Sequence, residues 1–266
     1  IHYCDKKPLK PDNKLIACIN EKRRSLIKLN HSATHLLQAS LRAVLGQHVA
    51  QKGSFLNDKY LRFDFTHFQK LTNEDLKEVE RKVNEKVLEA ISLDERQDVP
   101  MKEAVKMGAT SLFGEKYGNQ VRVVQIPGWS KELCGGTHVS RTGNIGIFTV
   151  TSESSISSGV RRLEAVTGTG AYGQYKNTSD RITRITSVLC VPEADLVESV
   201  ERLTNERRDL EKEVKRLKSK LVQSNVDDLI EKTRLVSGVK VVAARVEGLD
   251  RMQMRSLADQ YIEVWA

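Results

Sequence analysis

His31-Ser32-Ala33-Thr34-His35-Leu36-Leu37 is the stretch around which the rest of the chain can be read. On a helix, two histidines four apart lie on one face about one turn from each other, as two ligands of one ion require. Asn30 suits a helix N-cap, Leu36, Leu37, Leu41, Val44 and Leu45 share a face, and Gly46 is a stop signal. Alone the pair carries little, because histidines on a helix more often form an ordinary polar face. A hundred residues later, Cys134-Gly135-Gly136-Thr137-His138 supplies a thiol and a third imidazole. Its two glycines allow a turn that delivers both groups to one point. Three imidazoles and a thiolate suit tetrahedral zinc, so His31, His35, Cys134 and His138 are the candidate metal ligands. His2, His48, His67, Cys4, Cys18 and Cys190 have no such partner and read as structural.

The sequence between and around these pairs mixes helices and strands without regular alternation. Leu61, Phe63 and Phe65 alternate with Arg62 and Asp64, the pattern of a half-buried strand. Thr72-Asn73-Glu74-Asp75 is a capping box with Asp in its last position, opening a helix apolar at Leu76, Val79, Val83, Val87, Leu88 and Ile91. A short helix is expected near 101–107, and strands at Val121–Ile126, Ile145–Thr151 and Arg162–Thr167. The spacing therefore predicts an α+β domain over roughly 31–168. Ahead of it, Lys14–Ile19 reads as a strand and Glu21–Ser25 as a basic link.

After Gly168 and Gly170 the texture changes. Residues 171–190 read as helical, Pro192 breaks the chain, and a second helix begins near Ala194. Leu196, Val200, Leu203, Leu210, Val214, Leu217 and Leu221 follow a 4-3 spacing interrupted only at Arg207, which predicts a coiled-coil-like seam. Gly238–Ala244 opens a third, truncated α/β unit. The expected division is 1–29 as the end of a β-barrel-like unit and basic link, 30–175 as the metal domain, 176–223 as a helical hairpin or coiled-coil linker, and 224–266 as a partial domain.

Composition narrows the partners. Of the net charge of +8 carried by 266 residues, most lies in residues 1–60, where eleven Lys or Arg face four Asp or Glu. That basic third favours a polyanion such as nucleic acid. No apolar run is long enough for a membrane span, and no signal-peptide pattern opens the chain. Four dispersed cysteines fit a reducing cytoplasm. The chain starts at Ile1 rather than Met and reads as a piece of something longer. No G-x-S-x-G, Walker A or H-E-x-x-H motif is present, so any reaction is built on the metal or its neighbours.

Several motifs in order resemble the editing domain of alanyl-tRNA synthetase. They are His31 to Leu37, Gln51-Lys52-Gly53-Ser54, Leu61 to Phe65, Leu112-Phe113-Gly114-Glu115-Lys116-Tyr117-Gly118, Cys134 to His138, and Gly159-Val160-Arg161-Arg162. The resemblance spans about residues 1–175; beyond, the long helix and the strand at 239–244 resemble that family's linker and the start of its C-terminal RNA-binding domain. It implies hydrolysis of seryl- or glycyl-tRNA(Ala), zinc (Zn2+) on the four ligands, and the acceptor end of tRNA(Ala) as partner. Aminoacylation would then belong to a domain outside this chain. The resemblance also implies Gln51 in editing, Thr34 as a sensor of the serine hydroxyl or of water, and Arg161 at the terminal adenosine or its phosphate. Each has a plainer reading: Gln51 capping a turn, Thr34 bonded back to the Asn30 carbonyl, Arg161 in a strand-edge ion pair. Competing functions are a free-standing aminoacyl-tRNA deacylase and a zinc-stabilised RNA-binding module without turnover. Self-association through the heptad helix or the C-terminal unit also stays open.

Overall fold

The computed structural model describes residues 18–111, 117–247, 249 and 251–265. The expected strand at Lys14–Ile19 falls mostly outside the described residues, as does the Leu112–Lys116 part of the motif ending at Gly118. The chain forms two compact units, Ile1–Ser179 and Asp180–Ala266.

The first unit opens with α1 (Glu21–Leu45). It starts ten residues earlier than the Asn30 cap predicts: Asn20 is the cap, its side chain accepting the Arg23 N–H at 2.9 Å. Asn30 sits inside the helix, only 2% exposed. Its amide donates to the Asn57 carbonyl at 2.8 Å, and its oxygen accepts the Thr167 hydroxyl at 2.7 Å. A mid-helix Asn is tolerated here because tertiary partners satisfy its polar atoms, which local sequence cannot reveal. At the other end Gly46 takes φ +111° while its N–H bonds the Arg42 carbonyl, a conformation suited to glycine.

There follow β1 (Gln51–Leu56), β2 (Leu61–Thr66), α2 (Asn73–Leu88), β3 (Asp94–Pro100), α3 (Met101–Lys106), β4 (Gln120–Ile126) and β5 (Ser130–Leu133). A 3₁₀ turn at Thr142–Ile145 leads to β6 (Phe148–Ser157), β7 (Val160–Thr167) and α4 (Gly168–Leu189), within which the first unit ends at Ser179. The strands make a four-stranded sheet in the order β1-β2-β7-β6 and a three-stranded sheet β3-β4-β5, every pair antiparallel. The strand expected at Ile145–Thr151 thus starts later and runs further. Gly146, at φ +71°, ends the 3₁₀ turn, and the serine-rich exposed half of β6 shows no hydrophobic alternation.

β2 keeps the predicted alternation in part: Asp64, expected to face outward, is buried as well. Leu61, Phe63 and Phe65 are fully buried, while Arg62 lies over the Phe55 ring. Asp64 receives both Nε and Nη2 of Arg162 on β7, at 2.6 and 2.8 Å. Thr72 and Asp75 form the predicted capping box at the start of α2, a motif worth about 1 kcal/mol. Ala33, Leu36, Leu37 and Leu41 of α1 and Val79, Val83 and Val87 of α2 share one core with Phe63, Phe65, Phe148 and Leu163 of the larger sheet. A second cluster joins Val99, Ala104, Val121, Val123 and Leu133 around the smaller sheet.

The second unit contains α5 (Leu196–Glu231), the hairpin β8 (Arg234–Val236) and β9 (Val239–Val241), and α6 (Arg251–Trp265). Val226 and Leu257 form its small core, with Leu229, Ile230, Val246 and Leu249 against them. The predicted seam lies on one continuous helix, with Val200, Leu203, Leu210, Val214, Leu217 and Leu221 all exposed. Among the described residues, no helix is long and apolar enough to cross a membrane.

Candidate metal centre

The fold brings His31, His35, Cys134 and His138 together, with one potential ligand atom from each and all four atoms within 4.8 Å of one another. Helix α1 supplies the two histidines from the side opposite the apolar contacts of Leu36 and Leu37. The loop after β5 supplies Cys134 and His138. The Cys134 Sγ lies 3.4 Å from His31 Nε2 and 3.4 Å from His138 Nε2. Ligands at ordinary zinc distances on a tetrahedron would be separated by about 3.5 Å, so these contacts fit a shared ion. His35 Nε2 is buried and makes no hydrogen bond, an orphan that a metal would satisfy. By geometry and by donor type, this group can hold a metal ion.

The surroundings tune the ligands. Burial by itself would raise the Cys134 thiol, but the imidazoles of His138, His31 and His35 outweigh it and pull its pKa down to about 3. A thiolate is the form that binds metal. Burial pushes His35 down, but the carboxylate of Glu132 and the Cys134 sulfur more than reverse this and hold it well above the usual histidine range. His138 is lowered, chiefly by burial.

Neighbouring polar groups fix the ligands in place. His35 Nδ1 donates to Glu132 Oε2 at 2.6 Å, and the Ser130 hydroxyl donates to the other oxygen of Glu132 at 2.7 Å. Ser32 Oγ accepts the Val139 N–H and lies 3.3 Å from His138 Nδ1. Arg122 on β4, braced by Glu95, donates to the Gly136 and Cys134 carbonyls and so pins the ligand loop. Spacing rules for metal ligands miss Glu132, Ser32 and Arg122. A usable signal for Glu132 was present: Ser130, Glu132 and Cys134 alternate, so the period of a strand puts them on one side.

A polar cavity of about 810 Å³ opens beside His138, bounded by Ser25, Lys28, Glu95, Ser140 and Asn144 among others. The other expected residues are placed differently. Thr34, one residue before His35 in sequence, is buried, its hydroxyl donating to the Asn30 carbonyl at 2.9 Å. Arg161, on β7, donates from Nε to Glu153 Oε1 at 2.5 Å in a largely buried ion pair. Gln51 begins β1 opposite Phe65, next to an irregularity at Gly53. None of these three supplies an atom to the four-residue cluster.

Residues 121–164 match a family described as the threonyl and alanyl tRNA synthetase second additional domain. The chain is 50% identical over 242 residues to the alanine–tRNA ligase of Solibacter usitatus, covering 91% of this chain and 27% of that protein. Alanine–tRNA ligases of Acetivibrio thermocellus and Xanthomonas campestris pv. campestris are each 48% identical, over 91% and 95% of this chain and 28% of theirs. The chain therefore spans little more than a quarter of the length of these relatives. The resemblance read from the ordered motifs is borne out along nearly the whole sequence.

Proposed function

We infer that this chain is a segment of an alanine–tRNA ligase whose role is hydrolytic editing: cleavage of the ester in seryl- or glycyl-tRNA(Ala). In this reading residues 30–175 are the editing domain, 176–223 the linker and 224–266 the start of the C-terminal domain, in a cytoplasmic enzyme. The observation that carries it is the convergence of three imidazoles and a thiolate beside a polar cavity. His31, His35, Cys134 and His138 would hold zinc, which when bound supplies Lewis acidity toward an ester carbonyl or a water.

The chain's own groups account for the rest. Lys28 at the cavity wall, with Lys22, Arg23 and Arg24 along the same turns of α1, offers positive charge to the phosphates of an acceptor end. The Thr34 hydroxyl spends its proton on Asn30, which leaves its oxygen lone pairs to accept from a serine hydroxyl or a water. A site that hydrogen-bonds that hydroxyl can reject an alanyl ester by a factor of about 10⁴. Gln51 is assigned to the reaction, and Arg161, anchored by Glu153, offers its remaining N–H groups to the terminal adenosine or its phosphate. An aminoacyl ester is already labile, so placing water and stabilising an oxyanion suffice. The N–H groups near Gly135 and Gly136 are candidate donors.

The test is deacylation of seryl-tRNA(Ala) by the 266-residue chain beside Cys134→Ala. Wild type should release serine, and the variant should fall to the uncatalysed rate with loss of bound zinc. No hydrolysis by wild type would remove the hydrolase reading in favour of a zinc-stabilised RNA-binding module. Self-association is part of the same reading, supported by the exposed apolar seam of α5. Sedimentation should show a species heavier than one chain, reduced by Leu210→Glu; a monomer at all concentrations would remove this element.

A further inference from the structure

We propose that Glu132 is a positioning residue that fixes His35 in the one orientation and tautomer able to ligate the metal through Nε2. The inference rests on the metal reading above and concerns a residue outside the four ligands. Glu132 is 3% exposed, a burial that a carboxylate seldom adopts without partners. Both of its oxygens are engaged: Oε2 receives His35 Nδ1–H, and Oε1 receives the Ser130 hydroxyl. Held at both ends, the carboxylate cannot rotate away from the imidazole.

The backbone beneath it is equally constrained. β5 pairs with β4, with Val124 opposite Glu132. On its other side the strand bonds to Thr110, whose N–H reaches the Lys131 carbonyl at 2.9 Å while Leu133 N–H reaches the Thr110 carbonyl at 3.0 Å. Glu132 is thus delivered to α1 by a strand tied on both edges. An imidazole whose Nδ1–H is held by a carboxylate can release only its Nε2 proton to a metal, so it ligates through Nε2. That nitrogen is the buried atom left without a hydrogen-bond partner. The paired oxygen and the unpaired nitrogen lie on opposite sides of one ring, which is the arrangement of a carboxylate–histidine–metal relay.

Cobalt(II) binding to the full 266-residue chain tests this, with Glu132→Gln and Glu132→Ala. Affinity is read by chelator competition and ligand geometry by visible absorption. Glu132→Ala should bind about 10- to 100-fold more weakly than wild type, with an altered d–d spectrum. Glu132→Gln, which keeps an acceptor for Nδ1–H, should fall between the two and keep the protein foldable if the alanine variant is not. Equal affinity within twofold and an unchanged spectrum in Glu132→Gln and every folded variant would overturn the proposal while leaving the metal site intact. A wild type that takes up no cobalt would overturn both. Failure of seryl-tRNA(Ala) hydrolysis, with the graded affinities preserved, would count against editing alone.

Discussion

Gly136→Ala is expected to weaken metal binding severely while leaving the chain folded. A Cβ at residue 136 would lie 1.9 Å from His31 Cε1 and 2.5 Å from its Nδ1, far inside contact distance. The loop cannot move aside, because the Gly136 N–H is bonded to Cys134 Sγ and its carbonyl is held by Arg122. The half-buried His31 side chain can move, by swinging out of the cluster. The strain is then relieved at the expense of one ligand rather than of the core. Gly135 is the internal control, since a Cβ there meets no heavy atom within 4 Å. Zinc content and cobalt titration should show Gly136→Ala weakened on the order of 100-fold or more, Gly135→Ala near wild type, and similar urea midpoints for both metal-free variants. Equal metal affinity in the two alanine variants would mean that His31 is not a ligand.

The same loop shows what could be read from the sequence and what could not. The four candidate ligands were legible because two spacings, neither telling by itself, occur together: His at i and i+4, and Cys and His flanking Gly-Gly-Thr. The motif order made the relationship to alanyl-tRNA synthetase legible as well. The helix start was misread because Asn20 and Asn30 are equally good caps locally, and only contacts with Asn57 and Thr167 show that Asn30 is an interior residue. β3 was missed because Asp94-Glu95-Arg96-Gln97-Asp98 has no apolar alternation; its pairing with β4 is made by backbone and by Val99. Glu132 and Arg122 escaped notice for a related reason. A residue that positions a ligand is selected by where its tip reaches, and that depends on the packing of β5 and β4 against α1 and the loop.

Phe63→Ala should produce the largest loss of stability, about 3–5 kcal/mol. Phe63 is fully buried on β2, an interior strand, with Leu163 of β7 and Ser54 of β1 directly opposite. Its ring is 6.1 Å from that of Phe65, and the same core includes Ala33, Leu36 and Leu37 of α1. These three lie on the face of the helix away from His31 and His35, so the sheet supports the helix that carries half of the metal ligands. Urea unfolding followed by Trp129 fluorescence, in a Trp265→Phe background with chelator present, should give the full loss; a change below about 1 kcal/mol would contradict the packing. Zinc at a hundred times its dissociation constant should then restore about 2.7 kcal/mol, because it binds the folded state. That increment should be the same in wild type and in Phe63→Ala if the core serves only to hold α1 in place. A smaller increment in the variant would mean that the ring also shapes the ligand geometry, and would place Phe63 within the site rather than beneath it.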